Sequence, residues 1–441
     1  MNRWNLAWLI SIPAIVVTGL VFAFSAPVSR EHQEDYELIR LFTEVLNEVD
    51  QNYVRELDAK GRRELVENMI ESGLERLDPH TTYFNERELQ QFRIKSKGKF
   101  GGVGISVLRD QSTKGLFVTS PIAGTPAYEA GIQPGDLITK VDGVSLENKR
   151  STDAIELIMG EPGTPITLTV LHEGETEPVE VALKRATIEV PSVVGDQRRA
   201  DEPTQWDYLI DKDKKIAYIR VLEFGEPMAA DLRKVIEALQ TQGVTGLILD
   251  LRANPGGLLK SAVEVSDMFL SEGTIVSTRR RRSDDNEVFT AKPDNNLLEP
   301  AADHPIAVLI DRFSASASEI VAAALQDHHR ATIIGERSFG KGSVQNLHAL
   351  EGRKTALKIT IASYWRPSGK NIHRFPDAKE ADDWGVRPSE GFEVVLTDKE
   401  RKEYFEGRRY RDIITGKTGY VSDKLREKIQ IAQSPFEAIA R

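Results

Sequence analysis

Hydrophobic positions follow three successive rhythms along this chain. From Trp4 to Ser29 no side chain is charged, and Leu6 to Val28 is almost wholly apolar. That run is long enough to cross ~30 Å of hydrocarbon as a helix, and Pro13 within it is tolerable in a membrane span. A helical period follows. Leu38, Phe42, Val45, Leu46 and Val49 fall on one face, as do Leu65, Met69, Ile70, Leu74 and Leu77. Asp78-Pro79-His80 interrupts this period, and Asn85 with Glu88 forms a capping box that opens a third short helix. The pattern predicts a membrane-length segment over residues 1–30 and a small helical module over 31–93.

From about Phe100 the rhythm shortens to alternation broken by glycine turns. Ser106-Val107-Leu108, Leu116-Phe117-Val118, Leu137 to Val141, Ile166 to Val170 and Val179 to Leu183 read as strands, with a short helix over Asp153 to Met159. After residue 190, strands and helices alternate. Ile216–Leu222, Leu247–Leu251, Thr274–Thr278, Ile306–Ile310 and Ala331–Ile334 are strand-like, several of them continuous apolar runs suited to a buried sheet. Leu232–Leu239, Leu258–Leu270 and Ser318–Gln326 are helical, and Leu357, Ile359 and Ile361 mark a final strand. This is an α/β core over residues 190–390. Beyond Gly391 the chain is charged and mixed, leaving 391–441 as an extension without a pattern.

Composition narrows the function classes. The chain has 441 residues and a formal net charge of −10, which opposes attraction to nucleic acid. Its one basic run, Arg279 to Arg282, is followed at once by Asp284 and Asp285 and reads as a solvated strand end. With no cysteine, disulfides, thiolate catalysis and Cys-based zinc sites are excluded together. Arg3 and the terminal amine precede the apolar run, so the positive-inside bias predicts a cytoplasmic N-terminus and an exported body. Ala23 and Ser25 also suit a signal-peptide cleavage site, which leaves anchor and cleaved leader open.

Four chemistries compete around residues 311–345. Gly335 to Lys341 has Walker A spacing, but Gly342 stands where a magnesium-binding Ser or Thr is needed. Ser338-Phe-Gly-Lys341 with Lys417-Thr418-Gly419 imitates a β-lactamase-type set, yet the middle Asn element is missing and Gly340 and Gly342 disfavour the helix it needs. The eight histidines show no triad or zinc-peptidase context, so structural roles are expected for them, including Asp327-His328-His329 as a polar helix cap. The fourth is a Ser-Lys dyad. A strand ending at Ile310 turns through Asp311-Arg312-Phe313 into Ser314-Ala315-Ser316-Ala317-Ser318, which opens an alanine-rich helix. A hydroxyl there lies near unpaired N–H groups and the positive end of the helix dipole. Ser316 with Glu319 also spells a capping box, and spacing alone favours the cap and does not choose among the three serines.

Two resemblances bear on that choice. Gly101-Gly102-Val103-Gly104-Ile105 followed by Ala130 to Ile138 and Val141-Asp142-Gly143 resembles a PDZ domain over residues 94–189. This implies that Gly102, Val103, Gly104 and Ile105 hold a substrate's terminal carboxylate while the following strand edge takes up the peptide. Asp250-Leu-Arg252-Ala-Asn254-Pro-Gly256-Gly257, Ser314 to Ile320 and Gly340-Lys341-Gly342-Ser343-Val344-Gln345 resemble the carboxy-terminal processing (tail-specific) serine proteases. The family resemblance covers roughly residues 35–390. It implies a crotonase-like core with an inserted PDZ domain, Ser316 as nucleophile, Lys341 as general base and Gln345 as the residue orienting that lysine. The implied oxyanion hole is the N–H of Ala317 with one from the Asn-Pro-Gly-Gly turn, taken as Gly257.

The expected activity is metal- and cofactor-free endopeptidase cleavage of exported polypeptides near free C-termini, on the periplasmic side of a membrane that the N-terminal helix spans. Self-association stays open. Lysine titrates near ~10.4 in water, so Lys341 must be largely desolvated to act as a base. An inactive PDZ scaffold is the alternative, opposed by the joint presence of Ser316, Lys341 and Gln345. A crotonase-like acyl-CoA enzyme fits poorly with export.

Overall fold

The computed structural model describes residues 30–110, 115–199, 201–299 and 302–414. The apolar run from Leu6 to Val28 and the Lys417-Thr418-Gly419 triplet lie outside them. Among the described residues no helix is long and apolar enough to cross a membrane.

The chain divides into two compact units, Met1–Gly73 and Leu74–Arg441. The first contains the helix Arg30–Asn52 and most of the helix Ala59–Leu74. Both follow the predicted helical period, although the second ends before Leu77. The predicted apolar face of the first helix is open, with Leu38, Phe42 and Val45 exposed. The third helix, Glu86–Lys97, belongs to the second unit. Its capping box forms as the sequence predicts: Glu88 N–H donates to Asn85 Oδ1 at 3.0 Å, and Asn85 N–H donates to Glu88 Oε2 at 3.2 Å.

Within the second unit, Lys99–Gly102 pairs antiparallel with Ala186–Glu189, with Gly102 opposite Ala186. These two strands are the stem of an insertion. Between them lies an antiparallel sheet in the order Ile105–Asp110, Gly115–Pro121, Leu137–Val141, Pro165–Leu171, Val179–Lys184, with the helix Ser151–Ile158. Alternate residues of these strands point into a separate core that includes Val103, Leu116, Val118, Ile138 and Leu168. Gly101 is needed at the stem, because a Cβ there would meet Gly160 O at 2.0 Å.

The larger core is a parallel sheet. Ile216–Val221, Gly246–Asp250, Ile306–Ile310 and Ala331–Gly335 lie side by side, with Asp250 opposite Leu309 and Ile310 opposite Gly335. Their apolar runs are continuous because helices cover them, among them Met228–Thr241 and Ala317–Asp327, whose buried faces share one cluster with the strands. The alternating pattern assigned these strands correctly but placed Thr274–Thr278 among them. In the structure Thr274–Arg280 pairs instead with Thr355–Trp365 and Glu287–Thr290 in a second, antiparallel sheet. Strand propensity is local, whereas sheet membership depends on partners far away in sequence. The same sheet contains Thr82–Phe84 and a strand the pattern missed, Ser343–Leu350, both paired with Thr355–Trp365.

The extension after Gly391 is also structured as far as it is described, to Ile414. Thr397 and Glu400 cap a helix, Asp398–Asp412, whose Arg408 and Arg411 are buried against Asp196. Apolar periodicity could not reveal it, since the buried face is made of guanidinium groups paired with carboxylates.

Candidate active site

Three loops leave the carboxyl ends of adjacent parallel strands: 251–257 after Asp250, 311–316 after Ile310 and 336–342 after Gly335. Ligand sites in open α/β sheets gather at this edge. The loops are tied together by buried polar groups. Asp311 Oδ1 accepts the N–H of Ala253 at 3.0 Å, of Phe313 at 2.9 Å and of Ser314 at 3.1 Å. Ser314 Oγ donates to Leu251 O at 2.8 Å, and Ser318 Oγ donates to Asn254 O at 3.1 Å.

Those two bonds separate the three serines that spacing could not. Ser314 and Ser318 staple the 311–318 segment to the 251–257 loop. Ser316, between them, has φ 56° and ψ −113°, a region that a residue with a Cβ rarely adopts. Such strain marks a functional position when its surroundings enforce it. Here they do, because a Cβ on Gly256 would lie 2.7 Å from Ser316 Cβ and 2.5 Å from Ala315 O. Only glycine allows so close an approach, and Gly256 itself has φ 96°.

The predicted capping box of Ser316 and Glu319 is present. Glu319 Oε2 accepts the N–H of Ser316 at 2.8 Å. The same carboxylate, fully buried, also accepts Ser338 Oγ at 2.6 Å, Gly340 N–H at 2.6 Å and Lys341 N–H at 2.8 Å. Burial raises its pKa, and these four hydrogen bonds oppose the rise without cancelling it. A residue that the sequence explains as a helix cap is therefore the joint between the serine loop and the lysine loop.

Residues 336–342 are neither helix nor strand, and a strand, not a helix, follows at Ser343. This removes the P-loop reading, which needs a helix N-terminus for phosphate, and the S-x-x-K reading, which needs a helical turn. The glycines serve packing: a Cβ on Gly342 would meet His373 N at 2.2 Å, and one on Gly340 would meet Arg374 Cβ at 2.7 Å.

Burial holds the Lys341 amine below its ordinary value, as a base requires. The charge of Lys358 adds to this, while Glu319 and Asp78 oppose it. Among the described residues no hydrogen bond joins Lys341 Nζ to Ser316 Oγ. Gln345 lies on the strand Ser343–Leu350 and donates to Ser343 Oγ at 2.9 Å and Thr360 Oγ1 at 3.2 Å, rather than bonding to Lys341. Thr360 Oγ1 in turn donates to Asp78 Oδ1 at 3.1 Å. The sequence marks Asp78 as a helix breaker within an Asp-Pro-His segment that resembles the upstream region of the carboxy-terminal processing proteases, without a role in the site, and gives no sign of Lys358. Their involvement depends on the strands Thr82–Phe84 and Thr355–Trp365 pairing, with Thr82 opposite Lys358.

The histidines need one correction. Asp327 and His328 serve structurally, through Arg366 at 2.6 Å and Thr274 O at 2.7 Å. His80 and His373 instead line a cleft of about 970 Å³ with Ser338, Gly340, Ser343 and Thr360. Burial, and then the charge of Lys341, hold His80 below the usual imidazole range. Phe313, Phe339 and Phe375 form exposed aromatic walls of this cleft.

At the turn opposite Ser316, Gly256 N–H is taken by Asn254 Oδ1 at 2.8 Å. Among the described residues no protein acceptor takes the N–H of Gly257 or of Ala317. In the inserted domain, Val103 O accepts Ala127 N–H at 2.9 Å, and Gly104 O accepts Ile122 N–H at 2.9 Å. The N–H groups of Val103 and Gly104 find no acceptor among the described residues. Among the described residues Ile105–Asp110 is an edge strand, paired only with Gly115–Pro121.

An inserted antiparallel β-sheet domain, a parallel core and a strained serine at its carboxyl edge define a serine peptidase with a PDZ domain. Comparison with known proteins agrees. The model of peptidase family S41 matches residues 215–379, and that of the PDZ domain matches 91–171. The carboxy-terminal-processing protease of Bartonella bacilliformis is 37% identical over 421 residues, covering 94% of this chain and 91% of its own. The carboxyl-terminal-processing protease of Synechocystis is 32% identical, covering 89% and 88%. In Bacillus subtilis, the carboxy-terminal processing protease CtpA is 30% identical, covering 82% and 71%. The chain belongs to the carboxy-terminal processing proteases of peptidase family S41.

Proposed function

We propose that the chain cleaves exported polypeptides near their free C-termini by a Ser316–Lys341 dyad. The observation that carries this reading is that Glu319 Oε2 binds the backbone N–H of both residues. In the reaction, neutral Lys341 Nζ takes the Ser316 Oγ proton as Oγ attacks the scissile carbonyl. The N–H groups of Ala317 and Gly257 stabilise the oxyanion. Protonated Lys341 then gives its proton to the leaving amine, and water hydrolyses the acyl-enzyme. Gln345 acts as a positioning residue for the lysine, working from its bonds to Ser343 and Thr360.

In the PDZ domain, the free N–H groups of Val103 and Gly104 suit a terminal carboxylate, with Gly102 and Ile105 shaping the loop and the Ile105–Asp110 edge taking up the preceding residues. The apolar run from Leu6 to Val28 would hold the catalytic body on the exported face of a membrane. Incubation of the protein with an unstructured polypeptide ending in apolar residues tests the chemistry. Cleavage should persist with a chelator and vanish in Ser316→Ala and in Lys341→Ala. Activity retained in either variant overturns the dyad.

A further inference from the structure

A second cavity, of about 620 Å³, opens where the PDZ strand Gly115–Pro121, the parallel core and the helix Asp398–Asp412 meet. It reaches Ser106, next to the PDZ loop 102–105, and shares no lining residue with the cleft beside Ser338 and Gly340. Its walls are mostly apolar, with Pro121, Ile122, Leu222 and Trp206 among them. Into this wall the fold places Arg198, Arg220, Arg252, Arg408 and Arg409, against the carboxylates of Asp412 and Glu189.

These arginines are unequally neutralised. Arg252 is bound to Asp250 at 2.6 Å, and Arg408 to Asp196 at 2.5 Å. Arg220, almost fully buried, spends Nη2 on Asp412 at 2.7 Å and leaves its Nε buried with no partner. Among the described residues Arg198 makes no ion pair with a carboxylate, and the charge of Asp412 only partly offsets its burial. Arg198 stacks over Trp206 at 3.7 Å, donates from Nη1 to Thr204 O at 3.0 Å, and has a buried Nε without an acceptor. Burial pulls its pKa down to about 10, as expected for a cation short of counter-charge. A half-buried, under-neutralised guanidinium with a buried, unpartnered Nε in an apolar cavity is costly alone and favourable once an anion arrives.

The donors left over also indicate which anion. Arg252 and Arg408 are committed to Asp250 and Asp196, whereas Arg220 and Arg198 each keep a buried Nε without an acceptor. What remains suits a single negative charge with two oxygens, and the apolar walls suit a hydrophobic body attached to it. We propose that this cavity is a second chain-end site, which binds the free carboxylate of an apolar peptide through Arg198. Arg252 and Ala253 belong to both its wall and the loop that leads to Gly256 beneath Ser316.

The site does not rest on the dyad, so it is tested in the full chain carrying Ser316→Ala, where a failed mechanism cannot mask it. Leu108→Glu is added to block the exposed PDZ edge. Titration calorimetry then compares an acetylated apolar tetrapeptide with a free C-terminus, its C-terminal amide and inorganic phosphate. The acid should bind at least tenfold more tightly than the amide, and Arg198→Gln should weaken it at least tenfold while Arg198→Lys weakens it less. Thermal unfolding without ligand should be no lower in Arg198→Gln, since the change removes an unneutralised charge. Equal binding of acid and amide, no binding in the Leu108→Glu background, or indifference to Arg198→Gln overturns the proposal. So does phosphate that competes with the peptide through the same arginine, which would make this an inorganic-anion site.

Discussion

Ser316 and Lys341 donate their backbone N–H groups to one and the same oxygen, Oε2 of Glu319, each at 2.8 Å. The other oxygen holds Ser338 Oγ and Gly340 N–H, both at 2.6 Å. One buried carboxylate thus fixes where two loops from different strands meet, and its loss would free both.

Glu319→Ala leaves four donors without their acceptor, three of them buried, and should cost several kcal/mol of stability, given ~1–3 kcal/mol for each buried group left unsatisfied. Urea unfolding measures this. In the folded fraction kcat should fall far more than KM rises, because the lost feature is the alignment of the reacting groups. Glu319→Gln, which keeps an acceptor, should recover stability more fully than activity.

Activity should follow the neutral form of Lys341. Burial and the charge of Lys358 lower its pKa from the ordinary 10.5, so kcat/KM should rise with pH to a plateau whose midpoint lies below that value. Lys358→Met removes a positive charge, raises the pKa of Lys341 and should move the midpoint to higher pH. An unmoved midpoint would mean that the titrating base is not Lys341.

Asp78→Asn should shift the same profile the other way. Asp78 favours the charged lysine, so neutralising it lowers the pKa of Lys341 and moves the midpoint to lower pH. Asn keeps acceptor capacity for Thr360 Oγ1 and the Thr81 backbone, both bonded to Asp78 Oδ1, which limits structural damage. Opposite shifts in Lys358→Met and Asp78→Asn, recorded with one substrate, would separate electrostatics from disruption of the site.

Gly256→Ala should abolish activity and lower stability. Its Cβ would lie 2.5 Å from Ala315 O and 2.7 Å from Ser316 Cβ, at φ 96°. Gly124→Ala is the control for backbone strain alone, since nothing lies within 4 Å of its Cβ at φ 71°. That variant should lose roughly 1 kcal/mol by the cost of the left-handed region and keep its activity.

Asp250→Asn should destabilise the protein and reduce activity although Asp250 has no assigned step in the reaction. Burial pushes this carboxylate up, but Arg252 holds it below the usual range, and Tyr218 Oη donates to it at 2.5 Å. Breaking a buried pair leaves an uncompensated guanidinium, at about 3–5 kcal/mol, and Arg252 begins the loop that leads to Gly256. Thermal unfolding and kcat together would register the loss.

The sequence by itself determined whatever is local. Apolar runs of four to six residues made the parallel strands, Asn85 with Glu88 made a helix start, and the Gly-Gly-Val-Gly-Ile turn with its downstream glycines carried the PDZ resemblance. These depend on contacts a few residues apart, so spacing records them. Tertiary structure decided what long-range pairing controls. It separated Ser316 from Ser314 and Ser318, because the partners of those two lie on a loop some sixty positions away. It moved Thr274–Arg280 into a second sheet and, through Thr82 opposite Lys358, brought Asp78 and Lys358 into the electrostatic surroundings of Lys341. It also folded the charged stretch after Gly391 onto the core, through Arg408 and Asp196. A lysine has no local mark that distinguishes a base from a solvated charge. What sets Lys341 apart from a solvated lysine is burial beside Lys358 and Asp78, and that burial exists only once the chain has folded.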